Sequence, residues 1–133
     1  MAPRKWQAHP YQGHSIELGF RFLGSDAAVS PVHRAILDTG ATVSMFDLAH
    51  TAVAGIADVE SGRPRDLVVA NGAQAQGYEH DVAIEVLGMR LVVPGVFVPE
   101  WGTGTGNLLG MEGFLDQFAF YLEHRFRELL VYA

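Results

Sequence analysis

The stretch 35–46, "AILDTGATVSMF", sets one acidic side chain, Asp38, in an apolar run and follows it at once with Thr39, Gly40 and Ala41. A carboxylate among apolar neighbours is costly unless it is paired or hydrogen-bonded. Gly40 permits backbone conformations and close approaches that a Cβ blocks. Thr39 adds a hydroxyl that both donates and accepts. The pattern reads as a strand, "VHRAIL" at 32–37, that delivers a carboxylate into a tight turn, with "TVSMF" at 42–46 leaving as another short strand. On these residues alone, an Asp that caps a β-turn through its own backbone competes evenly with a reactive carboxylate.

The segments around it continue the strand pattern. In "SIELGFRFL" (15–23), Ile16, Leu18, Phe20 and Phe22 fall on one side, which is strand periodicity. "GSDAAVSP" (24–31) is turn chemistry. "DLAHTAVAG" (47–55) predicts a short helix with Asp47 as N-cap and Gly55 as stop. Residues 66–88 predict a hairpin, with its turn at Asn71-Gly72 and a polar tip containing Gln74, Gln76 and Gly77. Residues 89–100 predict a strand or two, broken at Pro94-Gly95, and "WGTGTG" (101–106) a loop. "NLLGMEGFLDQF" (107–118) begins extended and turns into a short helix, and the chain closes on an apolar strand, "ELLVY" at 128–132. Many short strands with two short helices predict an all-β, closed or partly closed barrel.

The 133 residues match the size of one domain, 1–133. With 49% apolar and 18% charged residues the composition is that of a globular chain. A net charge of −6 with scattered Lys and Arg argues against a nucleic-acid partner. There are no cysteines, which removes disulfide and thiol chemistry and fits a reducing compartment. The first fifteen residues lack the apolar core of a signal peptide, and no apolar run approaches the roughly 20 residues that span a bilayer. No membrane partner is therefore expected, and the expected location is the cytoplasm.

Three features compete for attention. "GTGTGN" (102–107) looks like a phosphate loop but lacks the βαβ context and the Lys or ribose-binding acid such loops need. The six histidines show no zinc-ligand spacing, so surface or capping roles are expected and no metal. Trp6 and Trp101 are expected in packing rather than as ligand platforms.

Downstream of Asp38-Thr39-Gly40-Ala41 come the hairpin with its polar tip and then Leu108-Leu109-Gly110 leading into a helix. In that order, from about Ile16 to Tyr132, these elements resemble the retroviral-type (retropepsin-like) aspartic proteases. The resemblance implies an acid-protease barrel with a flap hairpin, one or two short helices and a two-fold dimer. It implies Asp38 as the catalytic acid, and Thr39 as the hydroxyl that ties the two Asp loops together across the active site. Gly40 would let substrate backbone approach, and Ala41 would pack behind. Leu108, Leu109 and Gly110 would support the turn. The flap, about Val69 to Tyr78, would offer Ala70, Asn71, Gly72 and Gly77 to substrate. No cofactor is implied. Glu112 stands where the family often has an acid, and Gly113 looks like an extra residue that distorts the helix start.

The chemistry needs two carboxyl groups, one to activate water and one to protonate, and D-T-G occurs once in a chain too short for two such lobes. A second identical chain supplies the other acid across a two-fold axis, and the family holds its dimer partly through a sheet of chain termini, a job suited to "ELLVY". The substrate would be an extended polypeptide paired as an added strand, with Val43, Val68, Val69 and Val98 near apolar pockets. The alternative of another class is a non-proteolytic binding or dimerisation module of the same fold within a larger protein. A small-molecule-binding β-barrel is a more remote third.

Overall fold

In the computed structural model, residues 5–24, 30–69 and 71–132 are described; most of the expected turn at 24–31 and the flap position Ala70 lie outside them. Among the described residues ten strands follow in chain order: β1 (Trp6–Pro10), β2 (Glu17–Phe22), β3 (His33–Leu37), β4 (Ser44–Met45), β5 (Arg63–Val68), β6 (Gln74–Val86), β7 (Met89–Phe97), β8 (Leu108–Leu109), β9 (Ala119–Glu123) and β10 (Glu128–Tyr132). Among the described residues no helix is long and apolar enough to cross a membrane.

Six strands close on themselves. The order β2-β3-β8-β4-β7-β6 returns to β2 through a β2–β6 pairing, and β5 extends the sheet beyond β6. Most pairings are antiparallel; β3–β8 and β4–β7 are parallel. Strand alternation fills the barrel as the sequence predicts. Leu18, Phe20 and Phe22 of β2 point inward, against Val82, Ile84 and Val86 of β6 and Leu109 of β8. A two-residue turn joins β6 to β7, with Leu87 and Gly88 both at positive φ, the geometry that matches the twist of the flanking strands.

β7 corrects one expectation. Pro94-Gly95 does not break it; the strand pairs with β6 without interruption from Met89 to Phe97. Gly95 is there because the Phe46 ring occupies the space a Cβ would take. The dipeptide is a packing device, not a terminator.

Both predicted helices shrink to single turns. After Asp47 only Leu48–His50 form a 3₁₀ turn, although Asp47 does cap it and Gly55 does end the segment with φ 81°. Nine residues are too few to repay helix nucleation. After Gly110 only Leu115–Gln117 form a 3₁₀ turn. Gly113 adopts φ 79° there, and Pro94 fills its missing Cβ position.

The termini form a separate three-stranded sheet, β1-β10-β9. "ELLVY" is its central strand, paired on one side with β1 and on the other with β9. β1 itself is not visible in the sequence pattern. Trp6 packs against Tyr132 on the outer face of this sheet but stays half exposed.

Candidate active site

β3 carries the chain into the Asp38 turn, and β8 lies parallel beneath it. Asp38 N–H donates to Leu109 O (2.9 Å), and Ala41 N–H closes the turn on Asp38 O (3.2 Å). On the far side Met111 N–H reaches Ala41 O (2.9 Å) and Glu112 N–H reaches Thr42 O (2.7 Å). Gly110 donates its N–H to the hydroxyl of the fully buried Ser44 at 3.0 Å. A Cβ on Gly110 would run into the carbonyl oxygens of Ala41 and Val43. Leu108-Leu109-Gly110 therefore forms the floor of the turn, and only glycine fits its last position.

Asp38 is half buried, and its carboxylate accepts a hydrogen bond from Gly40 N–H at 2.8 Å. The turn opens on a cleft of about 640 Å³ whose opposite wall is the hairpin arm Arg65 to Val69. Asp38, Gly40, Ala41, Val43, Met45 and Leu108 form the near wall. Two shallower hollows adjoin the turn. One of about 260 Å³ lies against Thr39, Glu112 and Asp116, and one of about 300 Å³ runs from Asp38 and Thr39 to Phe120 and Leu122.

The structure brings together most of the expected site residues. Asp38, Gly40, Ala41 and Leu108 line the cleft. Thr39 faces the two hollows, and Leu109 and Gly110 are buried below. Val43, Val68 and Val69 line the cleft as expected, whereas Val98 is buried behind it with Val43, Ala75 and Val96. The hairpin turn holds Asn71, whose side chain accepts from Ala73 N–H (2.9 Å), and Gly72, at φ 82°; both are exposed and away from the cleft wall. Gly77 is not at the tip. It lies on β6 opposite Arg65, where Val96 and Phe97 fill the space beside it.

Two charged arrangements escaped the sequence reading. Arg65 lines the cleft and donates to the buried Glu79 (2.7 Å) and to Glu112 (3.3 Å), tying the hairpin to the floor loop. Arg63 and Arg65, alternating on β5 beside Glu79 on β6, were the available signal. The second is Asp47, buried at the exit of β4. Its carboxylate accepts from Ala49 N–H (3.0 Å), Gly104 N–H (3.0 Å) and Gly106 N–H (2.9 Å). Burial pushes its pKa up. The three N–H groups and the nearby His50 together outweigh burial and hold it below the usual carboxylate range. The glycine-rich loop that looked like a phosphate cradle thus binds a carboxylate of its own chain.

The His33 and His50 rings lie tilted against each other with centroids 4.3 Å apart, and Nε2 of His33 is buried without a hydrogen-bond partner. Burial, and then the charge on His50, push the His33 pKa down. Among the described residues no group of three or more His, Cys, Asp or Glu is placed to hold a metal ion.

A closed six-stranded barrel, with an acid-bearing turn laid over an apolar-apolar-Gly floor, is the retropepsin-like fold. The crystal structure of a retropepsin-like aspartic protease from Rickettsia conorii aligns with 99% of this chain and 96% of its own, with a TM-score of 0.66 at 16% sequence identity. At that identity the likeness shows a shared fold. No protein-family model matches the sequence, and no curated protein does.

Proposed function

We propose that the chain is an aspartic endopeptidase whose catalytic dyad is Asp38 from each of two identical chains. The observation that carries this reading is the contrast within the turn. Its backbone is fixed by main-chain bonds to Leu109, Met111 and Glu112, while its carboxylate has one bond from Gly40 and lines an open cleft. A rigid support with an under-partnered acid is what a general acid–base needs.

In this reading one Asp38 is ionised and takes a proton from water as the water attacks the peptide carbonyl. The other is protonated, donates a hydrogen bond to the carbonyl oxygen and later passes a proton to the leaving amine. Two carboxylates this close cannot both ionise easily, so they share one proton; aspartic proteases are the standard example of that behaviour. Thr39, at the rim beside Asp38, bridges to the partner's turn. Gly40 and Ala41 give the substrate backbone room, with Leu108, Leu109 and Gly110 as support. An extended peptide lies between the turn and the hairpin, its side chains meeting Val43, Met45, Leu67 and Val69.

The second chain docks at the Asp38 turn. Ile36 and Leu122, exposed by 44% and 43%, flank the hollow that leads away from Asp38 and offer it an apolar seat. The role first assigned to "ELLVY" passes to β1 and β9, because both edges of β10 are already taken within the chain.

The test is cleavage of an unstructured protein between pH 4 and 7. Wild type cleaves, Asp38→Asn folds but does not cleave, and a hydroxyl-bearing transition-state mimic blocks the reaction. Cleavage that survives Asp38→Asn removes the assignment. A well-folded wild type that binds peptides without cutting them favours the non-proteolytic module.

A further inference from the structure

Segment 99–107 joins β7 to β8 and is tied at both ends. Glu100 accepts from Gln76 N–H of the hairpin strand at 3.1 Å. Asn107 accepts from Asp47 N–H at 2.9 Å, donates to Arg34 O at 3.1 Å, and receives Ile36 N–H on its own carbonyl at 3.0 Å. Between these ends Gly102, Gly104 and Gly106 all stand at positive φ, and a Cβ added at any of them would meet nothing within 4 Å. This stretch has little packing to hold it. Its fixed point is the Asp47 carboxylate, on which Gly104 N–H and Gly106 N–H converge. Backbone N–H groups that converge this way, here from the alternate residues Gly104 and Gly106, form an anion-binding nest, and the anion is built into the chain.

The clasp sits where it controls the floor of the cleft from two sides. Asp47 follows Ser44 by three residues, and Ser44 holds Gly110 N–H. The nest ends at Gly106, two residues before Leu108, which lines the cleft beside Asp38. We propose that Asp47 is a positioning residue: by filling the nest of Gly104 and Gly106 it fixes the place of Leu108–Gly110 under the Asp38 turn, and so controls turnover without touching substrate. The catalytic half of this statement rests on the proteolytic reading above; the positional half does not.

Two readouts test it on the full chain. The first is steady-state cleavage by Asp47→Asn and Asp47→Ala, corrected for the folded fraction. Asp47→Ala lowers kcat roughly 10- to 100-fold, as small misplacements at a reacting centre do, while KM stays within about twofold. Asp47→Asn, which keeps the size and one acceptor oxygen, falls between. The second readout is the set of backbone amide NMR shifts. In Asp47→Asn the Gly104 and Gly106 signals move, and those of Leu109, Gly110 and Gly40 move with them. If kcat per folded molecule is unchanged, or if the shift changes stop at residues 102–106, Asp47 only fastens a surface loop and the proposal falls. If wild type cleaves nothing, the protease reading fails by itself and the amide shifts decide the positional half. Should Asp47→Ala not fold, Asp47→Asn carries both readouts.

Discussion

Two aspartates nine residues apart, Asp38 and Asp47, meet opposite fates. Asp47 is buried, and its carboxylate is saturated by backbone N–H groups from two loops. Asp38 is half exposed, and its carboxylate accepts one N–H from its own turn. The backbones beneath them show the reverse emphasis. The glycine loop around Asp47 depends on the side chain for its place, whereas the Asp38 turn is held by main-chain bonds to Leu109, Met111 and Glu112 and would keep its shape without its carboxylate. A carboxylate that holds structure is spent on structure; one left under-partnered on a rigid turn is free for chemistry. Four tests press on that contrast, from the strongest effect to the weakest, the last of them comparing two substitutions.

The strongest is Gly110→Ala. The new Cβ meets the main-chain oxygens of Ala41 and Val43, and neither can swing aside as a side chain tip could. Overpacking of this kind costs about 3 kcal/mol. Urea unfolding measures it. A loss under about 1 kcal/mol would mean that the Asp38 turn floats over its floor rather than resting on it. Next comes Ser44→Ala, which strands the buried Gly110 N–H. An unsatisfied buried donor costs about 2 kcal/mol, and the same unfolding measurement reads it. A near-neutral result would show that Gly110 keeps its place under the turn without the Ser44 hydroxyl.

How much of this was legible beforehand follows the same division. The Asp38 turn and the strands around it could be read because short-range pattern determines them: alternation at Ile16–Phe22, D-T-G-A, Asn71-Gly72. The floor at Leu108-Leu109-Gly110 pairs with β3 at Ile36 and Leu37, far apart in sequence, and was reached only through the family resemblance. The fold class followed, and the shared fold with a retropepsin-like protease agrees with it. What stayed hidden was set by long-range contact. Pro94-Gly95 reads as a break until Phe46 is seen to need the empty face of Gly95. Asp47 reads as a helix cap, which it is, but its bonds to Gly104 and Gly106 span 57 and 59 residues. The helix after Gly110 fails because Gly113 sits against Pro94, in a strand far back along the chain. β10 could not be told from a free edge because its partner β1 carries no clean alternation.

The third test turns the contrast into a pH dependence. An Asp whose folded pKa lies below the ordinary value of about 3.9 favours folding when ionised. Its contribution is complete above that value and is lost as pH falls through the lower folded one. The stability gap between wild type and Asp47→Asn is therefore present at pH 5 and narrows below pH 4. The narrowing is smaller than the Ser44 effect, because burial of the carboxylate opposes the bonds that lower its pKa. Urea unfolding across that range measures the gap. A gap that widens below pH 4 would mean that burial dominates and the clasp does not favour the ionised carboxylate.

The weakest effect is expected where the two regions meet the hairpin. Arg65 bridges Glu79, whose side chain is 10% exposed, and Glu112, whose side chain is 48% exposed. In Glu112→Gln the guanidinium keeps its shorter bond to Glu79 at 2.7 Å and loses the longer one at 3.3 Å. Half-exposed pairs are screened by solvent, so the cost is at most about 0.5 kcal/mol, and added salt shrinks it further. Glu79→Gln removes the buried partner instead and costs more, because Glu79 also receives Arg63 at 2.7 Å. If the two substitutions cost the same, Arg65 is an ordinary surface cation. If Glu79→Gln alone is costly, the hairpin is anchored from within its own sheet, and its tie to the loop beside Asp38 is loose enough for the hairpin to shift when the cleft fills.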